Sequence, residues 1–341
     1  MAHYLITGGC GFIGSNLANT LLADGEKVTV FDNLARKGTA RNLEWLESQK
    51  RDGFEFIRGD IRDADAIAAA VRAHSYDAIF HFAGQVAVTT SVTNPREDFD
   101  VNALGTFNTL EAVRLAGIKV PFLFTSTNKV YGGMEDIPVV DRGTQYDYDG
   151  LPNGVPESRG LDFHSPYGCS KGAADQYVRD YGRIYDIPTV VFRMSCQYGP
   201  RQFGNEDQGW VAHFIIAAHK GRDLNIFGDG KQVRDILYVE DLVRAFRMAA
   251  KEIAKTSGQI YNIGGGRANT ISLLELVAQL ETLVGHKVPM HFGDWRPGDQ
   301  PVYISDISKA EAGFGWSPSI SKHEGVEKLH AWVRQNDHLF E

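Results

Sequence analysis

Short apolar runs alternate with stretches of helical periodicity through the first half of the chain. The apolar runs predict strands at His3–Thr7, Lys27–Phe31, Phe54–Arg58, Ala78–Phe82, Phe122–Ser126 and Thr189–Phe192. The stretches between them predict helices at Gly14–Leu22, Ala64–His74, Asn102–Ala116 and Tyr167–Tyr185. Strands and helices that alternate in this way are typical of βαβ units with right-handed crossovers. The pattern therefore predicts an α/β fold built on a doubly wound parallel sheet.

The alternation weakens after about residue 194, and the elements there are shorter. The pattern predicts strands at Ile236–Val239, Ile260–Ile263 and Val302–Ile304, helices at Trp210–Lys220 and Leu273–Leu283, and a turn at Pro297–Gln300. Met134–Asp162 is rich in Asp, Tyr, Gly and Pro and lacks periodicity, which predicts a long surface loop. We expect a first domain over 1–194, with returning segments near 236–263 and 302–308. A smaller α/β lobe over 195–235 and 264–341 is expected to bind the substrate.

Composition and charge exclude several classes of protein. The balance of 35 Lys+Arg against 43 Asp+Glu, a net charge of −8, argues against a nucleic-acid partner or a polybasic membrane surface. No apolar run approaches the length of a membrane span, and the N-terminus lacks the pattern of a signal peptide. The 3 scattered cysteines predict neither a disulfide framework nor a metal site. We therefore expect a cytoplasmic protein without a structural metal.

A glycine-rich segment joins the first predicted strand to the first predicted helix. Gly8, Gly11 and Gly14 have the spacing that permits a tight turn, close approach to a pyrophosphate and close packing of helix on strand. Asp32 ends the second strand, where a carboxylate accepts from ribose hydroxyls and disfavours a 2′-phosphate. The two features predict a Rossmann domain that binds NAD in preference to NADP.

Other positions near the strand ends are open to two interpretations. Arg36 is either a cofactor contact or part of a solvated basic turn, and Asp60 is either an acceptor for the adenine amine or a helix cap. Phe82–Gly84 ends the fourth strand with small residues that let the chain pass close to a cofactor.

Tyr167 and Lys171 lie four residues apart and so share one face of the predicted helix. A nearby ammonium lowers the pKa of a phenol from about 10, which would suit Tyr167 to accept a proton near neutral pH. Thr127 ends the fifth strand, where its hydroxyl can bind a substrate hydroxyl. A Tyr-x-x-x-Lys spacing is common by chance, but its place after five alternating strands and a glycine loop favours a catalytic site.

These motifs, together with Tyr198-Gly-Pro200, resemble those of the extended short-chain dehydrogenase/reductase superfamily over nearly the whole chain. The resemblance implies a bound NAD and a nucleotide-sugar substrate. It implies that Arg234 and Arg296 grip the diphosphate, for which the forked guanidinium is suited. The cofactor residues it implies are Gly8, Gly11, Phe12, Ile13, Gly14, Asp32, Asn33, Arg36, Asp60, Ile61, Phe82, Ala83, Gly84, Gln85, Asn102, Thr125, Tyr167 and Lys171.

Longer blocks resemble the subgroup that epimerises C2 of CDP-sugars. They are Gly84–Ser91, Ser126–Gly132, Asp162–Tyr177 and Asp207–Val211. The implied substrate residues are Val86, Thr127, Asn128, Lys129, Gln197, Gln208, Gly209, Trp210, Gln232, Arg234, Arg296 and Asp299. For Trp210, packing within the small lobe is an equally good interpretation. Cys196 stands where many relatives carry Asn, so the contact usually made there to the sugar phosphate is altered.

The chemistry at C2 limits the routes by which that carbon can be inverted. The C2 hydrogen is not acidic because no carbonyl is adjacent, so the resemblance implies transient oxidation to a 2-keto sugar and re-reduction with a retained NAD. Tyr167 would accept the hydroxyl proton, Thr127 would position the hydroxyl, and Lys171 would tune Tyr167. A 4-epimerase uses the same groups and stays an alternative. A 4,6-dehydratase is disfavoured because Asn128-Lys129 replaces an Asp-Glu pair, and a non-catalytic NAD-binding regulator is disfavoured by the intact Thr, Tyr and Lys.

The superfamily also suggests a homodimer formed through the helices Asn102–Ala116 and Tyr167–Tyr185, and the subgroup suggests a homotetramer. Periodicity does not distinguish the two.

Overall fold

The computed structural model describes residues 1–295 and 299–340 and divides the chain into two units. The first unit comprises residues 1–130, 163–193 and 243–261. The second comprises residues 131–162, 194–242 and the described residues from 262 onward. Arg296, for which a phosphate contact is predicted, and most of the predicted turn at Pro297–Gln300 lie outside the described residues.

A seven-stranded sheet forms the centre of the first unit. Its strands are β1 (His3–Thr7), β2 (Lys27–Asp32), β3 (Phe54–Arg58), β4 (Ala78–His81), β5 (Phe122–Thr127), β8 (Thr189–Met194) and β12 (Gln259–Ile263). They lie in the order β12-β8-β5-β4-β1-β2-β3. β1 pairs in parallel with both β2 and β4, which creates the switch in strand order at which such sheets bind ligands. The predicted α/β class and doubly wound sheet are confirmed.

Helices connect these strands. They are α1 (Phe12–Ala23), α2 (Thr39–Ser48), α3 (Ala64–Arg72), α4 (Val88–Thr93), α5 (Pro95–Phe99), α6 (Gly105–Leu115), α7 (Ser165–Tyr185), α9 (Val239–Lys251) and α10 (Ile253–Thr256), with a 3-10 turn at Asn128–Tyr131. Val113 of α6 and Val178 of α7 are buried in one cluster with Leu5, Ile79 and Phe124 of the strands. Burial of these apolar faces holds the helices on the sheet. In the described parts of the chain, every helix is too short or too polar to cross a membrane.

The second unit consists of short strands and helices. Its strands are β6 (Val139–Asp141), β7 (Tyr146–Tyr148), β9 (Cys196–Tyr198), β10 (Leu224–Phe227), β11 (Val233–Tyr238), β13 (Thr270–Ser272), β14 (Met290–Gly293) and β15 (Val302–Tyr303). Its helices are α8 (Trp210–His219), α11 (Leu273–Val284), α12 (Ser308–Phe314) and α13 (Lys322–Gln335), with 3-10 turns at Arg267–Asn269 and Asp337–Phe340. Ile215, Leu276 and Leu329, one from each of α8, α11 and α13, form a buried core with Ile226 and Ile236.

Two segments differ from the prediction because of strand pairing between residues distant in sequence. The predicted loop Met134–Asp162 contains β6 and β7, which form an antiparallel pair. Residues 131–162 and 302–308, predicted with the first domain, fall in the second unit, as do residues 236–242 and 262–263 of the predicted returning segment 236–263. There β15 pairs in parallel with β11, and the Tyr148 hydroxyl donates to the Val302 carbonyl at 2.7 Å.

Seven helices among the described residues were not predicted from the periodicity: α2, α4, α5, α9, α10, α12 and α13. The helix predicted to begin at Asn102 is also different, because residues Asp100–Leu104 form a π-helical turn before α6 begins at Gly105. A π turn adds a residue to the helical repeat and re-aims the side chains within it. Asn102 lies in the middle of this turn.

Candidate active site

The glycine-rich segment forms a compact turn that leads into α1. Gly8 has a φ of +68°, and a Cβ there would lie 2.6 Å from the Ala83 nitrogen. A Cβ on Gly14 would lie 2.4 Å from the Gly8 carbonyl oxygen, so neither position admits a side chain. Gly11 is the N-cap of α1 and makes no side-chain cap hydrogen bond. Gly11 precedes the first N–H groups of α1, which start at Phe12. Because Gly11 has no side chain, nothing from the cap residue covers these N–H groups.

Asp32 lies against this turn at the end of β2. Its carboxylate accepts hydrogen bonds from the Cys10 nitrogen at 3.0 Å and the Leu34 nitrogen at 2.8 Å. Leu34 adopts the left-handed region, with a φ of +58°, which brings its N–H back to the carboxylate. Burial raises the pKa of Asp32, and the two backbone donors oppose that rise. Each carboxylate oxygen has a further lone pair with which to accept a hydroxyl.

The next strand end holds a second carboxylate. Asp60 pairs with Arg62 at 2.7 Å and accepts from Asn33 at 2.8 Å. The hydrogen bond from Arg62 is the main reason that the pKa of Asp60 is lowered to about 2. Ile61 beside it is buried. Asp60 is therefore an ionised acceptor held by neighbours on both sides, and the helix cap of α3 is Asp63 instead.

Tyr167 lies in the first turn of α7, beside the end of β5. Tyr167 and Thr127 are both buried, and Thr127 favours the ionised form of the phenol and so opposes the rise of its pKa. Ser165 has a φ of +65°, and its hydroxyl accepts the Gly168 N–H at 3.2 Å. This bond caps the helix from its first residue and fixes the turn that carries Tyr167.

Lys171 follows one turn later and is also buried. Its ammonium donates to the Thr125 carbonyl at 2.5 Å and lies 4.2 Å from the centre of the Phe124 ring. A cation over an aromatic face is stabilised by the negative charge on that face. These contacts direct the Lys171 ammonium toward the end of β5.

The charges at this site correct one prediction about Tyr167. The expected lowering of its pKa by Lys171 is absent: burial raises the pKa of Tyr167 to about 12, opposed by the Thr127 side chain and the positive charge of Arg36. The physical reason is burial, which also lowers the pKa of Lys171 to about 7. The Arg36 side chain is exposed at the surface.

A buried hydrogen-bond network joins α5, the π turn and α7, and it contains two residues that the sequence analysis missed. Asp98 accepts from Gln85 at 2.8 Å and from Ser170 at 2.5 Å. Asn102 donates to both Asp98 and Ser170 and accepts the Gln85 N–H at 2.9 Å. The signal available in the sequence was the four-residue spacing of Asp98 and Asn102, which places them on one helical face.

The other predicted contacts of the first unit lie around these groups. A Cβ on Gly84 would meet the Asn102 oxygen at 3.0 Å, and Phe82 packs on Phe246 with ring centres 4.7 Å apart. Asn128 is buried, and the Lys129 N–H donates to the Thr127 hydroxyl at 3.2 Å. The half-buried residues of the set are Phe12, Ile13, Ala83 and Val86.

In the second unit, Arg234 is buried and pairs with Asp299 at 2.6 Å. Gln232, two residues before Arg234 on the same chain segment, donates to the Phe227 carbonyl at 2.5 Å. Its carboxamide oxygen is buried and has no hydrogen-bond partner among the described residues. The Gln197 carboxamide oxygen is also buried without a hydrogen-bond partner among the described residues. The Gln197 carboxamide nitrogen donates to the Ile263 carbonyl at 3.2 Å.

Trp210 begins α8 and is half-buried. Its indole N–H donates to the Cys196 sulfur at 3.4 Å, and its ring meets Phe214 edge to face at 5.7 Å. Gly209 before it has a φ of +74°, and Gln208 pairs with Asn205 through backbone bonds of 2.9 and 3.1 Å. The structure thus gives the indole both polar and apolar partners within this unit.

One group of residues has the composition of a metal site, although the sequence predicted none. His3, Glu55 and His74 bring their ligand atoms within 4.8 Å of one another. These atoms already make hydrogen bonds, from His74 to Glu55 at 2.8 Å and between His3 and Thr29 at 2.9 Å. The group is partly exposed and belongs to the first unit, on strands β1 and β3 and after α3.

Comparison with known proteins identifies the family. The family model described as GDP-mannose 4,6 dehydratase matches residues 5–329. CDP-paratose 2-epimerase of Salmonella typhi is 47% identical over 336 residues, which cover 96% of this chain and 98% of that protein.

Solved structures agree over the whole chain. The UDP-glucose 4-epimerase of Thermotoga maritima with UDP-glucose has a TM-score of 0.85 and 31% identity, covering 98% of this chain and 99% of that one. The dTDP-glucose 4,6-dehydratase of Streptomyces venezuelae, solved with NAD, has a TM-score of 0.85 and 29% identity, covering 99% of each chain. The resemblance inferred from the motifs is confirmed. The chain belongs to the GDP-mannose 4,6-dehydratase family, a family of NAD-dependent epimerases and dehydratases.

Proposed function

We propose that this protein is an isomerase that inverts C2 of a CDP-hexose of the paratose/tyvelose type through a transient 2-keto sugar. The observation that carries the proposal is the joint burial of Tyr167, Thr127 and Lys171, with the Lys171 ammonium donating to the Thr125 carbonyl at the end of β5. It is supported by the 47% identity to a CDP-paratose 2-epimerase along nearly the full length of both chains.

The residues of the first unit fit NAD. The uncapped start of α1 at Gly11 suits a pyrophosphate. The Asp32 carboxylate at the end of β2 suits ribose hydroxyls, and its charge disfavours a 2′-phosphate. NAD, when bound, supplies reversible oxidation and reduction of the sugar carbon. We propose that the first unit holds the cofactor and that the second binds the nucleotide of the substrate.

Three side chains of the first unit act on the sugar and the cofactor in this proposal. Thr127 orients the C2 hydroxyl of the sugar, and the Tyr167 phenol accepts its proton and later returns it. Lys171 holds the ribose of the cofactor, and the positive charge of Arg36 favours the phenolate form of Tyr167 while it acts as base. Because burial raises the pKa of Tyr167 to about 12, this charge is needed for the phenol to act near neutral pH.

Two observations favour this reaction over elimination of water. Lys129 and Asn128 follow Thr127 at the position where dehydratases of this family carry an acid pair, as the sequence analysis noted, and neither offers a carboxylate. Asp98 is the acid of the buried hydrogen-bond network, but its carboxylate oxygens already accept hydrogen bonds from Gln85 and Ser170.

The second unit offers groups suited to a nucleoside diphosphate. Arg234 is held by Asp299 and presents a guanidinium suited to a phosphate. The unpartnered carboxamide oxygens of Gln197 and Gln232 suit N–H donors such as the amino group of cytosine. Arg296 has a proposed phosphate contact that rests on the sequence resemblance alone.

An isotope experiment tests the proposal. In D₂O, CDP-sugar should epimerise without gaining deuterium at C2, because the proton that exchanges with solvent is the one on oxygen, held by Tyr167. Deuterium entering C2 in step with product would indicate direct proton abstraction and refute the mechanism. A panel of CDP-, UDP-, GDP- and dTDP-sugars, with products identified by NMR, distinguishes this reaction from a 4-epimerase, which would change the sugar at C4.

We also propose that the protein assembles as a homodimer or homotetramer through α6 and α7. Leu115, Tyr177 and Ile184 are large apolar residues of these helices that stay exposed, Leu115 at 69% and Ile184 at 63%. Ile184→Asp should shift the mass measured by light scattering toward that of a monomer.

Cys10, Cys169 and Cys196 are free thiols, which supports a reducing, cytoplasmic location.

A further inference from the structure

His3, Glu55 and His74 lie at the amino end of the central sheet, whereas the glycine-rich turn lies at its carboxyl end. His3 is the first residue of β1, Glu55 is the second residue of β3, and His74 follows the end of α3. The glycine-rich turn begins after Thr7, the last residue of β1, so roughly 13 Å of strand separates it from His3. The proposed reaction uses none of the three side chains.

The register of the sheet places these side chains on one face. Leu5 of β1 is paired with Thr29 of β2, and Thr29 is paired with Glu55 of β3. Because successive side chains of a strand point to opposite faces, His3 lies on the same face as Leu5 and hence as Glu55. Leu5 is buried in the cluster that contains residues of α3, so this is the face that α3 covers. His74, two residues beyond the end of α3, joins the strand residues there.

The three ligand atoms are close enough for one ion to bridge them. Each residue offers one atom, a ring nitrogen or a carboxylate oxygen, and these atoms lie within 4.8 Å of one another. Ligands of a tetrahedral zinc ion lie about 3.4 Å apart, given bonds of about 2.0–2.2 Å, so the group has to contract by no more than about 1.4 Å. Glu55 and His74 are exposed, and a change of side-chain rotamer supplies a movement of that size. Among the described residues, no other group of three His, Cys, Asp or Glu side chains comes this close.

Neighbouring side chains hold the two rings and the carboxylate in place. The ring centres of His3 and His74 are 4.7 Å apart, and the buried Tyr76 ring lies edge-on to both, at 4.9 and 5.8 Å. The Tyr76 hydroxyl donates to a backbone carbonyl of α3 at 3.0 Å, which fixes this ring. The Thr29 hydroxyl donates to Glu55 at 2.8 Å and lies 2.9 Å from a ring nitrogen of His3. Partners of this kind orient the ligands in metal sites.

The charges around the group favour a cation. A Glu55 oxygen lies 2.8 Å from a ring nitrogen of His74. The Asp77 carboxylate accepts the backbone N–H of His3 at 2.7 Å. Lys27, opposite His3 in the register of β1 and β2, supplies one positive charge against these two negative ones. The carboxyl end of α3, where the helix dipole favours positive charge, is two residues from His74.

We propose that His3, Glu55 and His74 form a binding site for a divalent transition-metal ion of the zinc class. Imidazole suits zinc, copper and nickel, and two histidines with one glutamate are a ligand set that proteins use for zinc. Magnesium and calcium take oxygen ligands, so they should not bind here. Three protein ligands leave a fourth position for water, and the ion joins β1, β3 and the end of α3.

Titration with zinc chloride tests the proposal. The protein is the whole NAD-loaded chain without an affinity tag, because added histidines would bind the same metals. Isothermal calorimetry should show one Zn²⁺ bound at this site per chain. The melting temperature should rise with the Zn²⁺ concentration, because an ion that binds only the folded state stabilises it. Mg²⁺ at the same concentrations should produce neither effect.

Two variants remove one ligand each, and a third is the matched control. His74→Gln and Glu55→Gln change exposed side chains, and circular dichroism checks that both variants fold. Zinc affinity should fall by at least about tenfold in each, since loss of a residue that only orients a metal ligand already costs about 10–100-fold. His291→Gln is the control, because His291 is also exposed and lies 2.8 Å from a carboxylate, that of Asp223. It has no third ligand close by among the described residues, so this variant should keep the wild-type affinity.

Cobalt gives a readout of the coordination itself. Co²⁺ held by three side chains in tetrahedral geometry absorbs visible light more strongly than the hydrated octahedral ion. This absorption should appear in the wild type and be lost in His74→Gln. Equal zinc affinity in the wild type, His74→Gln and Glu55→Gln, or no zinc binding by the wild type, would overturn the proposal. An equal loss in His291→Gln would also overturn it, because zinc would then be binding to separate surface histidines. The test uses no turnover, so its outcome is independent of the proposed epimerase activity.

Discussion

The proposed catalytic residues of the first unit and the proposed nucleotide residues of the second differ in how their polar atoms are satisfied. Lys171 donates to a backbone carbonyl, and Asp98 accepts three hydrogen bonds. In the second unit four buried carboxamide oxygens have no hydrogen-bond partner among the described residues. They belong to Gln197, Gln202, Gln232 and Gln300.

The difference has an energetic meaning. A buried polar atom without a partner costs about 1–3 kcal/mol, so a ligand whose N–H donors reach these carboxamide oxygens would gain free energy of that order on binding. In the first unit the proposed catalytic groups are held by packing and by hydrogen bonds within the protein, and such preorganisation is how an active site gains rate. Substitutions in the first unit should therefore lower kcat, and substitutions in the second should raise KM.

The largest effect is expected from Tyr167→Phe, which removes the proton acceptor and keeps the ring. Loss of one acid–base group costs about 10²–10⁴-fold in rate, so kcat should fall by that factor while KM changes little. Tyr177→Phe is the matched control because Tyr177 lies on the same helix and is 49% exposed. The assay is NMR detection of the epimerised sugar. Near-normal turnover in Tyr167→Phe would remove Tyr167 from the mechanism.

This part of the site could be predicted because its signals are local in sequence. The glycine spacing of Gly8–Gly14 and the four-residue spacing of Tyr167 and Lys171 follow from the geometry of one turn and one helix. The bond between Asp98 and Ser170 joins residues 72 apart. Their contact depends on how α5 packs on α7, which no local pattern reports.

The second unit was harder to predict for the same reason. β11 pairs with β9, β13 and β15, which come from three separate stretches of chain. Strands of two to three residues, such as β13 and β15, carry too little alternation to be recognised alone. The environment of Tyr167 was also missed, because the extent of its burial depends on the whole fold rather than on the spacing to Lys171.

The second largest effect is expected from Lys171→Met. It should lower kcat about as far as Tyr167→Phe, weaken NAD retention and also destabilise the fold, because it leaves the Asp98 charge buried without a cation. A buried charge without a compensating cation is destabilising. Burial lowers the pKa of Lys171 to about 7, so Lys171 is charged in the fold at pH 6. Above pH 7 the unfolded state binds more protons at this group, and its contribution to stability rises with pH toward the ordinary pKa of lysine.

Urea unfolding at pH 6 measures this cost, and Asp98→Asn in the Lys171→Met background is its control. The double variant should recover most of the lost stability, since it removes the unpaired charge. Equal stability of the single and double variants would show that Asp98 and Lys171 do not interact.

A smaller effect of a different kind is expected from Gln232→Leu in the second unit. It removes the carboxamide oxygen and one hydrogen bond, so KM for the CDP-sugar should rise about fivefold with kcat unchanged, in line with about 1 kcal/mol for a hydrogen bond. Gln279→Leu is the matched control. Gln279 also donates to a backbone carbonyl, that of His323 at 3.1 Å, but it is exposed. A fall in kcat rather than a rise in KM would contradict the assignment of substrate binding to the second unit and of the chemical step to the first.

The smallest effect is expected from Cys196→Ala. It tests most directly whether chemistry belongs to the first unit and substrate binding to the second. The Cys196 sulfur is a weak acceptor for the Trp210 indole N–H at 3.4 Å, so its removal should change KM by no more than about threefold. Tryptophan emission should shift because the indole loses its partner, while kcat stays constant because the Tyr167 phenol is untouched. Cys196→Ser, which restores an acceptor, should return the emission toward that of the wild type. A tenfold loss of kcat in Cys196→Ala would mean that this indole contributes to the chemical step, and the separation of chemistry in one unit from binding in the other would no longer hold.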